Sequence, residues 1–469
     1  MSTPVTASPG TVPAETSTPN YRGSFAVMTV LFFLWGFMTV FNDILIPRFK
    51  SAFELNYYQA MLVQFAFFGA YFTGALLYFV ASVTAGDPIA RIGYKNGVVV
   101  GLLLSAGGSA LFWPAASMRS YPFFLLALFV VGLGFAVLQI AANPYVTILG
   151  PERTAASRLN LAQAFNSVGT TTGPLIGGYL IFKYFARTGA HGAESVKVPY
   201  LAFCVVFLVI AGVFYFVKLP HVGEGKIEPG AGALRHPHVV LGALAIFMYV
   251  GGEVSVGSAI INFLGQPGIA GLSELDASKY VALYWGGMLI GRFMGAVELS
   301  DLTRRNKQLL LIAFPTAAFV ILSALRGVSF SLHYLPFLLL TWVLFQFGQG
   351  LAGRTLMLFS LMVVVLLTVS ILVGGPVAMW CVVGVGLFTS IGWSNTFALA
   401  IEGVGIYKSQ ASSLLVMAIL GGAILPPLQG KLADLTHNLQ SSFIIPLFAY
   451  AYVAFYGLRG HCIGRRNTL

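Results

Sequence analysis

The feature that most constrains this chain is a series of apolar stretches, each long enough for a helix, that fills almost its whole length. A helix of about 20 apolar residues crosses the hydrocarbon core of a bilayer. Of the 469 residues, 57% are hydrophobic and only 9% are charged, whereas soluble domains carry about 25% charged residues. The sequence therefore predicts an all-α protein that spans a membrane many times, and it argues against an ordinary soluble domain.

Fourteen stretches meet this criterion, six before and eight after a polar segment. Those before it are predicted at 24–46, 59–84, 96–114, 121–145, 158–184 and 199–218. Those after it are predicted at 239–264, 279–298, 309–326, 334–350, 355–373, 376–401, 409–429 and 440–457.

The two halves resemble copies of one unit, which is the first thing to seek in a long chain. An acidic and basic loop follows both the second and the eighth span, so that Asp87 and Asp301 lie 214 positions apart. Asn143 and Asn395 match at an offset of 252. The offset between matching residues thus increases from 214 to 252 along the second half. Two additional helices near 308–350 account for this increase. Two six-helix bundles plus a two-helix insertion predict the major facilitator fold, in which two halves rock around a central site.

The same layout predicts the domains and their orientation. Lys and Arg are more frequent in loops on the side of the N-terminus, which places both termini in the cytoplasm. The net charge of +11 is spread over short loops, so we expect no nucleic-acid partner. The expected parts are a disordered cytoplasmic tail at 1–22, a first bundle at 23–218, a cytoplasmic linker at 219–238, a second bundle at 239–458 with the extra helical pair near 308–350, and a cytoplasmic tail at 459–469.

Several motifs of catalysis and cofactor binding are missing from the sequence. The three cysteines form no CxxC pair, and the seven histidines fall in loops, tails or span edges. There is no GxxxxGK[ST] motif to bind the phosphates of ATP. We therefore expect neither an enzyme nor a metal site nor a cofactor, and we expect an ion gradient to supply energy.

Polar side chains inside the spans are candidate functional groups, because an unpaired polar group in hydrocarbon costs several kcal/mol. On the first span Trp35, Thr39, Asn42 and Asp43 share one face. Together they offer a stacking ring, a hydroxyl and an amide for a sugar, and Asp43 as a proton- or cation-coupling group. The alternative is that Asp43 pairs with a basic residue, since Arg48 follows closely.

Amides line the fourth and fifth spans. Gln139 and Asn143 lie one helical turn apart, and Asn160, Gln163 and Asn166 follow at spacings of three. Amides both donate and accept, which suits hydroxyl groups of a solute. The alternative is hydrogen bonding between helices.

The second half adds four candidates. Glu253 lies near the middle of the seventh span and is a second candidate coupling group. A glycine pair precedes it, which predicts a broken helix. Asn262 on the same span reaches the same cavity only if the helix bends. Trp393 and Asn395 lie amid apolar residues on a later span, where the ring either stacks on a sugar or fills the core.

Charged residues at the inner ends of the spans predict a conformational latch between the halves rather than a binding site. The residues of this predicted latch are Asp87, Arg91, Arg292, Glu298, Asp301 and Arg304.

Four segments carry a family resemblance: NDILIPRF, LQIAANPYVTILGPE, SRLNLAQAFNSVGTTTGP and SSLLVMAILGGAILPPLQG. Together they resemble the fucose–galactose–glucose/proton symporter family of the major facilitator superfamily, and YVGGEV is closer to its glucose/galactose branch. The resemblance implies that Asp43 couples protons to sugar transport and that Asn42, Gln163 and Asn166 line the cavity. The fucose symporter has a coupling Glu before its AANP motif, whereas this chain has Gln139, which does not titrate.

These observations predict a secondary active importer of a neutral hexose of the glucose, galactose or mannose type, with H⁺ as the coupling ion. It is expected to lie in a bacterial inner membrane and to function as a monomer within the lipid bilayer. Three alternatives stay open: Na⁺ as the coupling ion, N-acetylglucosamine or fucose as the solute, and a sugar receptor that does not transport.

Overall fold

The computed structural model describes residues 22–39, 53–54, 57–178, 194, 196–217 and 230–464. Within these ranges all regular structure is helical, as the sequence predicts. Eleven helical spans of the described residues are long and apolar enough to cross a membrane, if short interruptions such as those within Gly375–Ile401, Gly405–Thr436 and Leu439–Leu458 are included. The apolar helix at Gly23–Thr39 is shorter. The predicted site residues Asn42 and Asp43 lie outside the described residues.

Six long helices of the described part precede the linker. They are α1 (Arg22–Thr39), α2 (Tyr57–Ala85), α3 (Tyr94–Ala110), α4 (Tyr121–Ile148), α5 (Ala155–Gly178) and α6 (Lys197–Phe216). Local chemistry sets their ends: α4 begins where the Ser120 side chain accepts a hydrogen bond from the amide of Phe123 at 3.4 Å, with a proline in the first turn.

The second half begins with α7 (Pro237–Gly265) and α8 (Glu274–Glu298). It continues with α9 (Arg304–Arg326), α10 (Val328–Gly348), α11 (Ala352–Leu372), α12 (Gly375–Thr389), α13 (Gly392–Ile401), α14 (Lys408–Met417), α15 (Gly421–Thr436) and α16 (Ile444–Leu458). Buried apolar side chains from both halves form one continuous core.

The packing of the helices repeats between the halves. Helix α1 packs against α5, and α7 packs against α15. Helix α3 packs against α4 and α6, and α11 packs in the same way against α12 and α16. Helices α9 and α10 have no counterpart among the described helices of the first half, so they correspond to the two-helix insertion that the change of offset predicts.

The insertion lies against the second half. Helix α9 packs against α8, and α10 packs against α11 and α12. The ring of Phe314 on α9 stacks on Phe293 of α8 with centroids 5.3 Å apart, and Phe293 in turn lies 6.3 Å from Phe165 on α5. The insertion therefore reaches the edge of the contact between the two halves.

Several helix boundaries differ from the sequence prediction. Helix α10 begins at Val328 rather than at 334, and the predicted span at 409–429 is divided into α14 and α15. The insertion begins at Arg304 rather than at 309, because the Thr303 side chain accepts from the amide of Asn306 at 3.5 Å and starts the helix in a charged turn. The predicted span at 376–401 is two helices, α12 and α13, separated at residues 390–391.

The predicted break in the seventh span is wrong, since α7 continues through Gly251 and Gly252. These glycines instead make room for close neighbours. A Cβ atom on Gly251 would lie 2.4 Å from the side chain of Leu425, and one on Gly252 would lie 2.8 Å from the ring of Tyr450. Close packing, rather than a bend, therefore explains the glycine pair.

Candidate functional site

The halves meet at one end of the bundle, here called the loop end because it holds the segments 86–93, 149–154 and 299–303. At its first seam α5 lies against α8 and α13. The Ser157 hydroxyl on α5 donates to the carbonyl of Ala296 on α8 at 2.5 Å. Deeper in the bundle, the Asn160 amide donates to Asn395 Oδ1 on α13 at 2.8 Å, and both asparagines are fully buried. The first seam is therefore closed by direct polar contacts between the halves.

At the second seam α14 lies against α2 and α4. Gln410 on α14 donates to the Ser82 hydroxyl on α2 at 3.0 Å. The neighbouring Ser409 hydroxyl donates to the hydroxyl of Tyr94 at 3.2 Å. The polar contacts of both seams together are called the loop-end gate below.

The sequence repeat relates the two seams. Ser157 and Ser409 lie 252 positions apart, as do Asn143 and Asn395, and Asn160 matches Ser412. The repeat counterpart of the Asn160–Asn395 bond is therefore Asn143 with Ser412, on helices α4 and α14 that pack together. The buried amide of Asn143 and the hydroxyl of Ser412 have no hydrogen-bond partner among the described residues. At this pair of repeat counterparts, the first seam therefore has a hydrogen bond that the second seam lacks in the described residues.

Exposed ion pairs lie at the rim of the gate. Arg153 contacts Asp301 across the first seam at 3.0 Å, and Lys408 lies 3.8 Å from Glu152. The Arg153–Asp301 pair is solvent-exposed, and the atoms of the Lys408–Glu152 pair are far apart for a salt bridge, so each pair is worth less than about 1 kcal/mol. Of the predicted latch residues, Asp301 thus contacts the opposite half, through an arginine that the latch prediction did not include.

Other predicted latch residues act within one half. Glu298 accepts from the amide of Gly350 at 2.8 Å, and the Lys307 ammonium donates to the Glu298 carbonyl at 2.7 Å. Arg91 donates to the carbonyl of Ala85. Arg304 is exposed in the first turn of α9.

Asp87 is an N-cap. Its carboxyl accepts from the amide of Ile89 at 2.9 Å and from that of Ala90 at 3.3 Å, and it also accepts from the Tyr78 hydroxyl. Burial raises the pKa of the Asp87 carboxyl, and these hydrogen bonds act in the opposite direction. The Asp87 carboxyl also interacts with the Ser409 hydroxyl on α14. Asp87 therefore caps a helix of the first half and contacts the opposite half at the second seam.

Glu253 on α7 is an acidic residue near mid-span that is still partly accessible. Its carboxyl oxygen Oε1 lies 2.8 Å from the Tyr249 hydroxyl, which also lies 3.0 Å from the carbonyl of Thr389. The Tyr284 hydroxyl of α8 donates to the backbone carbonyl of Glu253 at 3.0 Å. Two tyrosines therefore hold this segment of α7 against its neighbours.

Arg292 on α8 hydrogen-bonds with both halves, at a position further along α5 from the loop end than Asn160. Its guanidinium donates to the Ser390 carbonyl of its own half at 3.2 Å. It also donates to the Ser167 hydroxyl and, at 3.4 Å, to the Gln163 carbonyl on α5. No carboxylate of the described residues lies within ion-pairing distance of Arg292.

In the first half three side chains form a polar chain across α1, α2 and α4. The indole of Trp35 donates to the Tyr71 hydroxyl at 3.2 Å, and Gln139 interacts with the same hydroxyl. Thr39 donates to the carbonyl of Trp35 at 2.9 Å. Trp35 and Thr39 are partly accessible, whereas Gln139 is buried. The structure thus brings these three predicted site residues together.

The amides of α5 have other partners in this conformation. Asn166 donates to the carbonyl of Phe32 at 3.0 Å, which ties α5 to α1. Gln163 is buried, and its backbone carbonyl receives Arg292. These contacts show that the predicted amide stripe partly serves helix packing.

The remaining candidates lie in the second half. Trp393 is buried and stacks on Phe397 with centroids 5.9 Å apart, and its indole nitrogen has no partner among the described residues. Asn262 is exposed, one turn after the exposed Ser258. The structure therefore does not bring Asn262 together with the gate residues.

Sequence reasoning missed three tyrosines: Tyr71, Tyr249 and Tyr284. Each contacts a residue that was singled out, namely Trp35 or Glu253. Tyr249 lies one turn before Glu253 on the same helix, and that spacing was the available signal. Among the described residues, no group of three His, Cys, Asp or Glu side chains is placed to hold a metal ion.

Comparisons with known proteins agree with this arrangement. A sequence model of the Major Facilitator Superfamily matches residues 23–358. The glucose/galactose transporter of Brucella abortus is 43% identical over 454 residues, which cover 95% of this chain and 96% of that protein. The putative glucose/galactose transporter of Helicobacter pylori is 38% identical over 92% of this chain and 96% of its own length. The L-fucose-proton symporter of Escherichia coli is 29% identical over 92% of each chain.

Solved structures show the same fold. The crystal structure of FucP, a Major Facilitator Superfamily transporter in the outward conformation, superposes with a TM-score of 0.75 at 27% identity. The match covers 94% of this chain and 99% of FucP. The proton:xylose symporter XylE matches 92% of this chain and 94% of its own with a TM-score of 0.57 at 15% identity, a likeness of fold alone. The named sequence relatives are transporters, which confirms the expectation that the chain is not an enzyme.

Proposed function

The chain belongs to the Major Facilitator Superfamily, and we propose that it imports a neutral hexose in symport with a proton by alternating access. The observation that carries the proposal is its 43% identity, over nearly full length, to a protein named a glucose/galactose transporter. This identity also confirms the family resemblance of the sequence motifs.

The polar groups of the bundle support a hydroxylated solute. Trp35, Tyr71 and Gln139 join a ring face to donors and acceptors, a combination that holds a sugar by stacking and by hydrogen bonds. We propose that the partly accessible Trp35 and Thr39 contact the sugar in this conformation, together with Asn42. Asn143, Asn160 and Asn395 are fully buried in the closed gate, so we propose that they contact it only after the gate opens.

Proton coupling is supported by acidic residues within the membrane spans that the sequence predicts. A buried acid in a membrane span costs about 2.5–3.5 kcal/mol, so such residues are retained mainly for function. We propose Asp43 and Glu253 as the coupling groups. One charge that crosses a membrane with a potential of 100 mV releases about 2.3 kcal/mol of free energy. This free energy supports roughly 50-fold accumulation of solute. One coupling ion per sugar is therefore sufficient.

The closed loop-end gate supports alternating access. We propose that the loop end faces the cytoplasm of a bacterial inner membrane, because its loops carry the excess of Lys and Arg. In that orientation the described conformation is closed to the cytoplasm. Opening both seams of the gate would then release the sugar inside.

Uptake into proteoliposomes tests the proposal. A pH gradient, acidic outside, should drive accumulation of labelled glucose or galactose, and a protonophore should abolish it. A competition panel that includes mannose, fructose, fucose and N-acetylglucosamine then identifies the preferred solute. Binding without uptake would favour the receptor alternative and contradict the proposal.

The coupling ion is decided in the same vesicles. Accumulation that persists in sodium-free buffer supports H⁺. Accumulation that requires Na⁺ and survives the protonophore would instead establish Na⁺ coupling.

A further inference from the structure

The Tyr249 hydroxyl lies within hydrogen-bond distance of two oxygen atoms, one of them on Glu253. One phenolic hydroxyl has one proton, yet it lies 2.8 Å from Glu253 Oε1 and 3.0 Å from the Thr389 carbonyl. A carbonyl oxygen only accepts hydrogen bonds. If Tyr249 donates to Thr389, its contact with Glu253 needs a proton from the carboxyl group. A protonated Glu253 therefore satisfies both contacts with full hydrogen bonds.

Glu253 and Arg292 are close enough to interact electrostatically, yet no ion pair joins them in the described residues. Arg292 is held instead by Ser390 and by the two α5 acceptors, Ser167 and Gln163. Those α5 acceptors belong to the opposite half, so opening of the first seam removes them.

We propose that Glu253 carries the transported proton while the loop-end gate is closed, and that Arg292 displaces this proton when the first seam opens. The proposal rests on the proposed proton-coupled sugar transport and assigns the release step to two residues. A guanidinium that loses its neutral acceptors in a low-dielectric site is left with an unpaired charge, which is costly. A charge-assisted hydrogen bond to a carboxylate stabilises it more than a bond to a neutral acceptor does.

The displacement step balances in atoms and charge. The O–H bond of the Glu253 carboxyl group breaks, and its proton passes to water that enters at the opened loop end. The guanidinium keeps all its protons and forms an ion pair with the new carboxylate. The titratable groups that interact with Glu253 are Tyr249 on its own helix, Tyr284 and Arg292 on α8, and Tyr450 on α16. The tyrosines keep their protons at neutral pH, so Glu253 is the group that releases one.

The first experiment uses Glu253→Gln, which imitates the protonated acid. Purified protein in proteoliposomes is assayed for sugar counterflow, which needs no proton release, and for accumulation driven by a pH gradient. We expect E253Q to keep counterflow, to lose more than tenfold in accumulation, and to lose the sugar-induced uptake of protons from a weakly buffered medium. The matched control is Asp276→Asn, the same change at an exposed acid in the first turn of α8, which should behave as the wild type.

The second experiment separates Arg292 from a purely structural role. In Arg292→Gln, Glu253 keeps its proton after the gate opens, so accumulation should fall while counterflow persists. Raising the pH inside the vesicles by about two units removes the Glu253 proton even when the arginine is absent. This change should restore accumulation by R292Q. It should not restore accumulation by E253Q, which has no carboxyl group at this position. Arg292→Lys keeps the charge and should recover part of the accumulation at the original pH.

The outcomes distinguish failure of the proposed transport function from failure of the proposed proton release by Glu253 and Arg292. If the wild type takes up no sugar, the proposed function fails. If the wild type accumulates sugar and E253Q does so equally well, proton release by Glu253 is wrong, although the transport function stands. Loss of counterflow together with accumulation in E253Q, or failure of a high internal pH to rescue R292Q, also overturns the inference.

Discussion

Asn160 and Asn395 show why side-chain type alone does not assign a role at the residue scale. Both were predicted to bind sugar, and in the closed gate each is the partner of the other at 2.8 Å. A sugar hydroxyl and a second amide need the same donors and acceptors, so the spacing of amides along a helix does not distinguish them. Their depth in the membrane was predictable from the sequence, whereas the identity of their partner was not.

Asp43 lies outside the described residues, and its proposed role makes a direct prediction. Asp43→Asn removes a titratable group while it keeps size and polarity. We expect gradient-driven sugar uptake to be lost and counterflow to survive in part, as measured in proteoliposomes. A mutant that still accumulates sugar against its gradient would show that Asp43 does not couple the ion.

Asp87 makes a prediction about stability. Asp87→Asn keeps an acceptor for the cap and Asp87→Ala loses it, so the alanine variant should be less stable than the asparagine variant by about 1 kcal/mol. Because burial raises the pKa of Asp87, the folded state binds its proton more tightly than the unfolded chain. The wild type should therefore lose stability relative to D87N as the pH rises through the acid range. Thermal unfolding in detergent at several pH values measures both effects, and equal melting temperatures of the two variants would exclude the capping role.

At the scale of single elements, hydropathy predicted most of the helices and failed at their interruptions. A long apolar run is required wherever a helix crosses hydrocarbon, so α9 and α10 were found without any motif. The division between α12 and α13 lies within such a run, and apolar composition contains no signal for it. The glycine pair of α7 predicts a break that the structure does not have, because glycine also permits close packing of helices.

The packing of α1 on α5 depends on glycines that face the other helix. A Cβ atom at Gly169 would lie 2.1 Å from the carbonyl oxygen of Phe33. Gly169→Ala should therefore push the helices apart and cost about 1–3 kcal/mol. The matched control is Gly212→Ala on α6, where the new Cβ meets nothing within 4 Å. Melting temperature and hexose uptake of the two variants test this, and a G169A protein as stable as G212A would contradict it.

At the scale of the whole molecule, the repeat found in the sequence corresponds to the two seams of the gate. The offset of 252 relates Ser157 to Ser409 and Asn143 to Asn395, and these residues lie in or beside the contacts between the halves. The sequence could not show that the counterparts are bonded unequally, because that depends on the conformation of the transporter.

Removal of the Asn160–Asn395 bond should shift the gate toward its open state. A buried neutral hydrogen bond contributes about 1 kcal/mol, which is about a fivefold change in population. Spin labels at the exposed positions Ile92 and Leu302 lie on opposite halves, so their separation increases when the gate opens. In Asn160→Ala, a larger fraction of molecules should show the longer distance between the labels. The double variant N160A/N395A should give the same distribution as the single variant, because both lack the same bond. Asn306→Ala, at an exposed amide of α9, is the control. An unchanged distance distribution in N160A would show that the bond does not hold the gate.

The stacking of Phe314 on Phe293 beside Phe165 has a consequence for the surrounding lipid. Helix α9 packs on α8 through Phe314 and Phe293, and Phe293 in turn contacts Phe165 of α5 in the opposite half. In the described residues, the insertion packs against α8, α11 and α12 rather than against α2 or α14, so only the first seam has this extra pair of helices beside it. Bilayer thickness and composition should therefore influence the transport cycle unequally on the two flanks of the protein.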